Sequence, residues 1–186
     1  VGSSTTLLGR DGARSSDVGV RAEALSMSLL DEYKRIRRTT LDAVAGLTAE
    51  DCLLQAMPDV SPPKWHLGHT TWFFEAFLLA ELEGYSPFDA AFAYLFNSYY
   101  EAAGSRQPRD RRGVLSRPDL GRVLAYRAHV DDWMERAFGR FDAAALSRLV
   151  LGLHHEQQHQ ELLVMDVKYN FGESPLSPAH RPVPDS

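Results

Sequence analysis

Over residues 21–46, side chains suited to a core return every three or four positions, at Leu25, Leu29, Tyr33, Ile36, Thr40 and Val44. That period is one face of an α-helix, and a chain that carries it must bury the face against another element. The same reading predicts a second helix over 62–83, with Trp65, His66, His69, Trp72, Phe73 and Phe77. A third is expected over 120–140, with Leu120, Val123, Leu124, Arg127, Val130, Met134 and Phe138, and a fourth over 143–169. Pro62 and Pro63 suit the start of the second helix, because first-turn N–H groups have no helical partner to lose. Asn170-Phe-Gly ends the fourth. No segment reads as a strand and no repeat is evident, so the expected fold is all-α, a four-helix bundle.

Residues 84–115 form a long crossover between helices two and three, aromatic in its first half and arginine-rich in its second. Loops of this length serve function or lack order, and the aromatic residues favour packing. Thr48-Ala-Glu-Asp51 and Ser116-Arg-Pro-Asp119 both fit the capping-box pattern, the first before a short turn and the second before helix three. The first twenty residues mix Gly, Ser and Arg without a sustained period and are expected to be flexible. Residues 21–170 are expected to form the bundle, and 171–186 a proline-rich segment leading out of it.

At 186 residues, 44% of them hydrophobic, the chain can bury one ordinary core. No run approaches the roughly 18–20 apolar residues of a membrane span. A net charge of -5 argues against general nucleic-acid binding, which draws on surplus Lys and Arg. The single cysteine, Cys52, excludes both an internal disulfide and a four-cysteine zinc site, and fits a reducing cytoplasm.

The strongest chemical signal is His154-His155-Glu156-Gln157-Gln158-His159. His155 and His159 share a helical face, roughly 6 Å apart along the axis, and can hold one ion between them. The string also fits the HExxH pattern of zinc proteases, in which the glutamate is the general base. No third ligand follows at protease spacing, which weakens that reading. Helix two offers a partner in Trp65-His66-Leu67-Gly68-His69, since an imidazole among large apolar groups needs something to bind. Spacing leaves the choice between His66 and His69 open, although His69 shares a stripe with Trp65, Trp72 and Ala76. His154 points about 100° away from His155 and is expected at the surface or behind the site. His129 and His180 are expected to be structural or solvated.

The strings WHLGHTTWFFEAFLL, LFNSYYEAAG, RDRRGVLSRPDL, YRAHVDDWM and HHEQQHQELLVMDVKYNF together resemble the amino-terminal DinB-like domain of the ergothioneine-biosynthesis sulfoxide synthases. The matches run in order from about Tyr33 to Pro178. The resemblance implies a DinB-like four-helix bundle holding non-haem Fe(II) through His69, His155 and His159. It implies as substrates hercynine, O2 and the thiol of cysteine or γ-glutamylcysteine, whose carboxylate Arg109 and Arg112 would hold. Arg106 and Arg111 are alternative counterparts in the same loop. Glu156 is then no protease base; it would orient a ligand or meet a helix neighbour, or be a solvated charge. In that family a second domain, similar to the formylglycine-generating and sulfatase-modifying fold, supplies most of the hercynine pocket and the catalytic tyrosine. Ser186 falls in what resembles the linker to it, so the chain is expected to be either part of a longer protein or a stand-alone remnant. Two other readings stay open: a zinc-dependent DinB-like thiol transferase or isomerase, and a non-catalytic helical module whose metal serves stability.

Overall fold

Residues Pro63–Phe74 form a helix, α2, in which every side chain is buried. A helix with no exposed face has to lie at the centre of a bundle, and α2 packs against both α4 (Leu120–Ala137) and α5 (Ala143–Gly172). The long α1 (Asp11–Val44) lies along α5. The computed structural model describes residues 11–98 and 105–181, and among them there is no strand. The all-α bundle expected from the apolar periods is therefore the fold.

The stripes are buried much as the spacing predicts. Tyr33, Ile36 and Thr40 of α1 are 1–2% exposed, with Leu29 and Val44 packed at the edge of the core. The side chain of Leu25 lies outside the described set. On α4, Val123, Arg127, Val130 and Met134 are buried, but Leu124 is exposed and Tyr126 takes the inward place.

Several boundaries differ from expectation. α1 begins at Asp11, so residues 11–20 are helical; they hold no proline, and each residue added to a started helix gains a hydrogen bond without needing an apolar stripe. Residues 1–10 and 182–186 lie outside the described part. α2 gives way at Glu75–Leu79 to a π-helical turn closed by Ala80 N–H donating to the Glu75 carbonyl at 2.9 Å, so the regular helix is shorter than predicted. The cap of α4 is Asp119, which accepts from Arg122 N–H at 2.8 Å; Ser116 stands before the cis Arg117–Pro118 bond and caps nothing. The box at Thr48 does form. Asp51 N–H donates to Thr48 Oγ1 at 3.1 Å and Thr48 N–H to Asp51 Oδ2 at 2.8 Å, opening a one-turn 3₁₀ segment, Asp51–Leu53.

The described part of the crossover is anchored by buried Phe92, Phe96, Asn97, Ser98 and Arg112, while Tyr94 and Val114 stay exposed. It contains a one-turn helix, α3 (Phe92–Leu95), and a 3₁₀ segment, Arg109–Val114. Phe92 and Phe96 are each 2% exposed and stand against the Tyr126 ring at 4.9 and 6.2 Å. Tyr99 and Tyr100 lie outside the described residues. Phe96 also sets the spacing between α3 and α2, because its ring lies where a Cβ on Gly68 would be, 2.3 Å from Phe96 Cε1. Gly68→Ala is accordingly expected to displace a fully packed ring and destabilise the fold by about 1–3 kcal/mol. A shift of the urea midpoint with an unchanged slope is the check, and an unchanged midpoint would contradict the packing described.

Candidate metal centre

α2 and α5 cross so that His69 meets His155 and His159. The three ring centroids are 4.6–4.9 Å apart, and a donor nitrogen from each lies within 4.8 Å of the others. His69 Nε2 and His155 Nε2 are 3.1 Å apart. Two nitrogens bound to one ion at about 2.1 Å stand about 3.0–3.4 Å apart when the angle between them is about 90–109°. This pair thus already has the separation of two ligands on a common metal. A three-histidine set fits a borderline-soft divalent ion such as iron or zinc.

Each ring is held by its surroundings. His69 is stacked between Trp65, at 4.5 Å and 14°, and Trp72, at 5.7 Å and 15°, which realises the stripe read from spacing. Its Nδ1–H donates to the Phe96 carbonyl at 2.6 Å, leaving the lone pair on Nε2, toward His155. Gly68 makes this bond possible by letting Phe96 come so close. His155 stacks on Phe73 at 4.7 Å, and its Nδ1 is buried with no hydrogen-bond partner among the described residues. His66 does not join the three. Its Nδ1 is 2.9 Å from His159 Nδ1 and its Nε2 is 3.0 Å from Asp166 Oδ2.

The site keeps its imidazoles neutral. Burial pushes His69 well below the usual histidine range, helped by the nearby His155. His155 is pushed down to about 4 by burial, against the pull of Glu156. Burial and then His69 drive His159 far down, and burial outweighs Asp166 at His66. Neutral rings are what a metal requires, so at neutral pH no proton has to leave before an ion can bind.

Glu156 is neither a solvated charge nor a general base. It is fully buried, facing away from the cavity, with Arg127 Nη2 at 2.5 Å and Thr40 Oγ1 at 2.6 Å on one oxygen and Arg37 Nη1 at 3.1 Å on the other. That removes the protease reading of HExxH. His154 is exposed, as the helical angle predicts, and among the described residues it bonds Gln157. His180 Nε2 meets the Ala43 carbonyl at 2.8 Å, and His129 is half-buried beside Tyr85 and Phe88.

The cluster opens into a cavity of about 280 Å³ that also includes Arg109, Arg112, Ser61 and Ser98 in its lining. Arg112 is 5% exposed; its guanidinium lies 3.3 Å over the Trp65 ring and donates to Ser61 Oγ at 2.9 Å and Ser98 Oγ at 3.2 Å. Arg109 donates to the Asp59 carbonyl. Arg106 lines only an adjoining hollow, and Arg111 is exposed and lines neither. Spacing arguments missed the Phe96 carbonyl, Asp166 and the partners of Glu156. Asp166 left one signal, being a carboxylate seven residues, about two turns, beyond His159 on the same helix.

Two packed helices of the bundle converge three neutral imidazoles on one point, a set that could hold a metal ion. Residues 32–163 match the family model of the DinB superfamily, and the chain belongs to that superfamily. No curated protein matches the chain. No helix among the described residues is long and apolar enough to cross a membrane.

Proposed function

We propose that this chain is the metal-binding domain of a cytoplasmic non-haem iron(II)- and O2-dependent sulfoxide synthase joining the thiol of cysteine or γ-glutamylcysteine to hercynine. The observation that carries the reading is the shared cavity, whose lining holds the three neutral imidazoles together with Arg109 and the buried Arg112. When bound, iron(II) would supply open positions for a thiolate and for dioxygen. The chain's own residues bind and orient. His69, His155 and His159 hold the ion. Arg112, fixed by Trp65, Ser61 and Ser98, and Arg109 beside it place positive charge where a thiol substrate's carboxylate would anchor. Trp65 and Leu162 give the cavity apolar wall that limits water.

The overall chemistry balances without another reductant. The thiol loses its S–H hydrogen and hercynine an imidazole C–H hydrogen; one oxygen atom ends in the sulfoxide, and the other leaves as water with both hydrogens. Forming C–S from C–H and oxidising the sulfur release two electrons each, and dioxygen takes up four. Hercynine would be bound chiefly by a second domain resembling the formylglycine-generating fold, which would also bring the catalytic tyrosine. The present chain is therefore expected to bind iron(II) and thiol but to turn over negligibly by itself, since a misplacement of about 1 Å costs on the order of a hundredfold in rate.

Anaerobic addition of γ-glutamylcysteine or cysteine to the iron(II)-loaded chain should change its Mössbauer spectrum to that of thiolate-ligated iron. Adding the second domain, hercynine and oxygen should then yield the sulfoxide by mass spectrometry. A zinc-loaded chain that passes a thiol to an electrophile without oxygen would instead establish the zinc-dependent transferase and overturn this reading.

A further inference from the structure

Behind His159 runs a chain of three hydrogen bonds. Asp166 Oδ2 accepts the Ser61 N–H at 2.9 Å and stands 3.0 Å from His66 Nε2, while His66 Nδ1 stands 2.9 Å from His159 Nδ1. Both His66 and Asp166 are buried, at 2% and 4% exposure. Asp166 Oδ2 accepts the Ser61 N–H and accepts in the same way from His66, so the hydrogen between them sits on His66 Nε2. A neutral ring carrying its hydrogen there offers only a lone pair at Nδ1, so the hydrogen between His66 and His159 sits on His159 Nδ1. His159 is left with its lone pair on Nε2, the form in which that nitrogen can ligate.

We propose that His66 and Asp166 are positioning residues that fix the tautomer and orientation of His159 for the metal, as the Phe96 carbonyl does for His69. The inference rests on the reading of His69, His155 and His159 as one metal site. His66 is not itself a fourth ligand, because both of its nitrogens are already engaged, one by Asp166 and one by His159. The three ligands are thus supported unequally. His69 donates to a main-chain carbonyl, His159 to a carboxylate-anchored imidazole, and His155 to nothing among the described residues. The pattern also accounts for two polar residues deep in the bundle, neither of which makes a ligand bond: each is satisfied by the next, and the chain ends on the backbone of Ser61.

The test uses the full chain labelled with ¹⁵N-histidine, and zinc as the probe metal. In the metal-free wild type, the ring nitrogen shifts of His159 should report hydrogen on Nδ1; in His66→Phe, which keeps a ring but no nitrogen, that preference should be lost. Zinc affinity, measured against a competing chelator, should fall by about 10- to 100-fold in His66→Phe and recover in part in His66→Gln, whose amide can donate to Asp166 and accept from His159. Hydrogen on Nε2 of His159 in the wild type, or unchanged zinc affinity in a folded His66→Phe, would overturn the proposal. The wild-type tautomer decides even if the variant does not fold. A wild type that binds no zinc would refute the metal site itself, a result distinct from either.

Discussion

Glu156→Ala is expected to lower the unfolding free energy by about 3–5 kcal/mol, the usual result of removing one partner from a buried ion pair. The side chain joins all four long helices. Arg37 and Thr40 reach it from α1 and Arg127 from α4, while Thr71 and Thr70 of α2 accept from those same arginines at 3.1 and 3.2 Å. Asp131 also binds Arg37, at 2.6 Å, but its side chain is 26% exposed against 0% for Glu156. Without Glu156, two buried guanidiniums share that one half-wet carboxylate. Against a typical total of about 5–15 kcal/mol, the loss is large enough to read directly from urea unfolding.

The same residue gives a pH signature. Burial works against its charge, yet Arg127 and Arg37 outweigh burial and hold its carboxyl down to about 2, from an ordinary 4.5. A carboxyl lowered by folding contributes stability that is complete above its unfolded value and is lost as pH falls toward the folded one. The wild type should therefore shed this contribution between about pH 4.5 and 2, and Glu156→Ala should lack that part of the acid dependence. A variant within about 1 kcal/mol of wild type, with the same acid profile, would show that the network is incidental.

The second large effect concerns the metal. Four-ligand zinc sites have apparent binding free energies of about 10–16 kcal/mol, so one ligand counts for about 2.5–4 kcal/mol. Replacing His69, His155 or His159 by alanine should weaken zinc or iron(II) binding by two to three decades, and should erase the rise in melting temperature that the ion gives the wild type. His154→Ala, one position away but exposed and outside the cavity lining, should bind as the wild type does. Comparable loss in His154→Ala, or none in His155→Ala, would remove the basis for the assignment.

What could be read from residues alone follows a physical line. Helices with one apolar face announce themselves by period, and α1, α4 and α5 were legible in this way. α2 was legible as a helix but not in its orientation, because a segment buried all round has no exposed face to mark its direction. Spacing consequently left the choice between His66 and His69 open; the family resemblance pointed to His69, and the facing α5 brings His69, not His66, together with His155 and His159. The capping signal worked at Thr48 and misled at Ser116, where Asp119 three positions on was itself the better cap. For a different reason, Glu156 was left open between orienting a ligand, meeting a helix neighbour and being a solvated charge, and the second is what the fold shows. Its environment depends on Arg37 and Arg127, 119 and 29 residues away in sequence, and no local pattern records such a meeting. The arginines of the crossover were legible as a cluster, while which of them turn into the cavity depends on the 3₁₀ path of Arg109–Val114.

The central claim is that three imidazoles from two helices bind one ion. X-ray absorption at the zinc edge of the zinc-loaded full chain addresses it most directly, because it counts the ligands. The account predicts imidazole scattering from three histidines at about 2.0–2.1 Å, with one imidazole lost from the shell in a variant of any of His69, His155 or His159 that retains zinc. A shell of oxygen ligands alone, or one unchanged when all three histidines are replaced together, would contradict it.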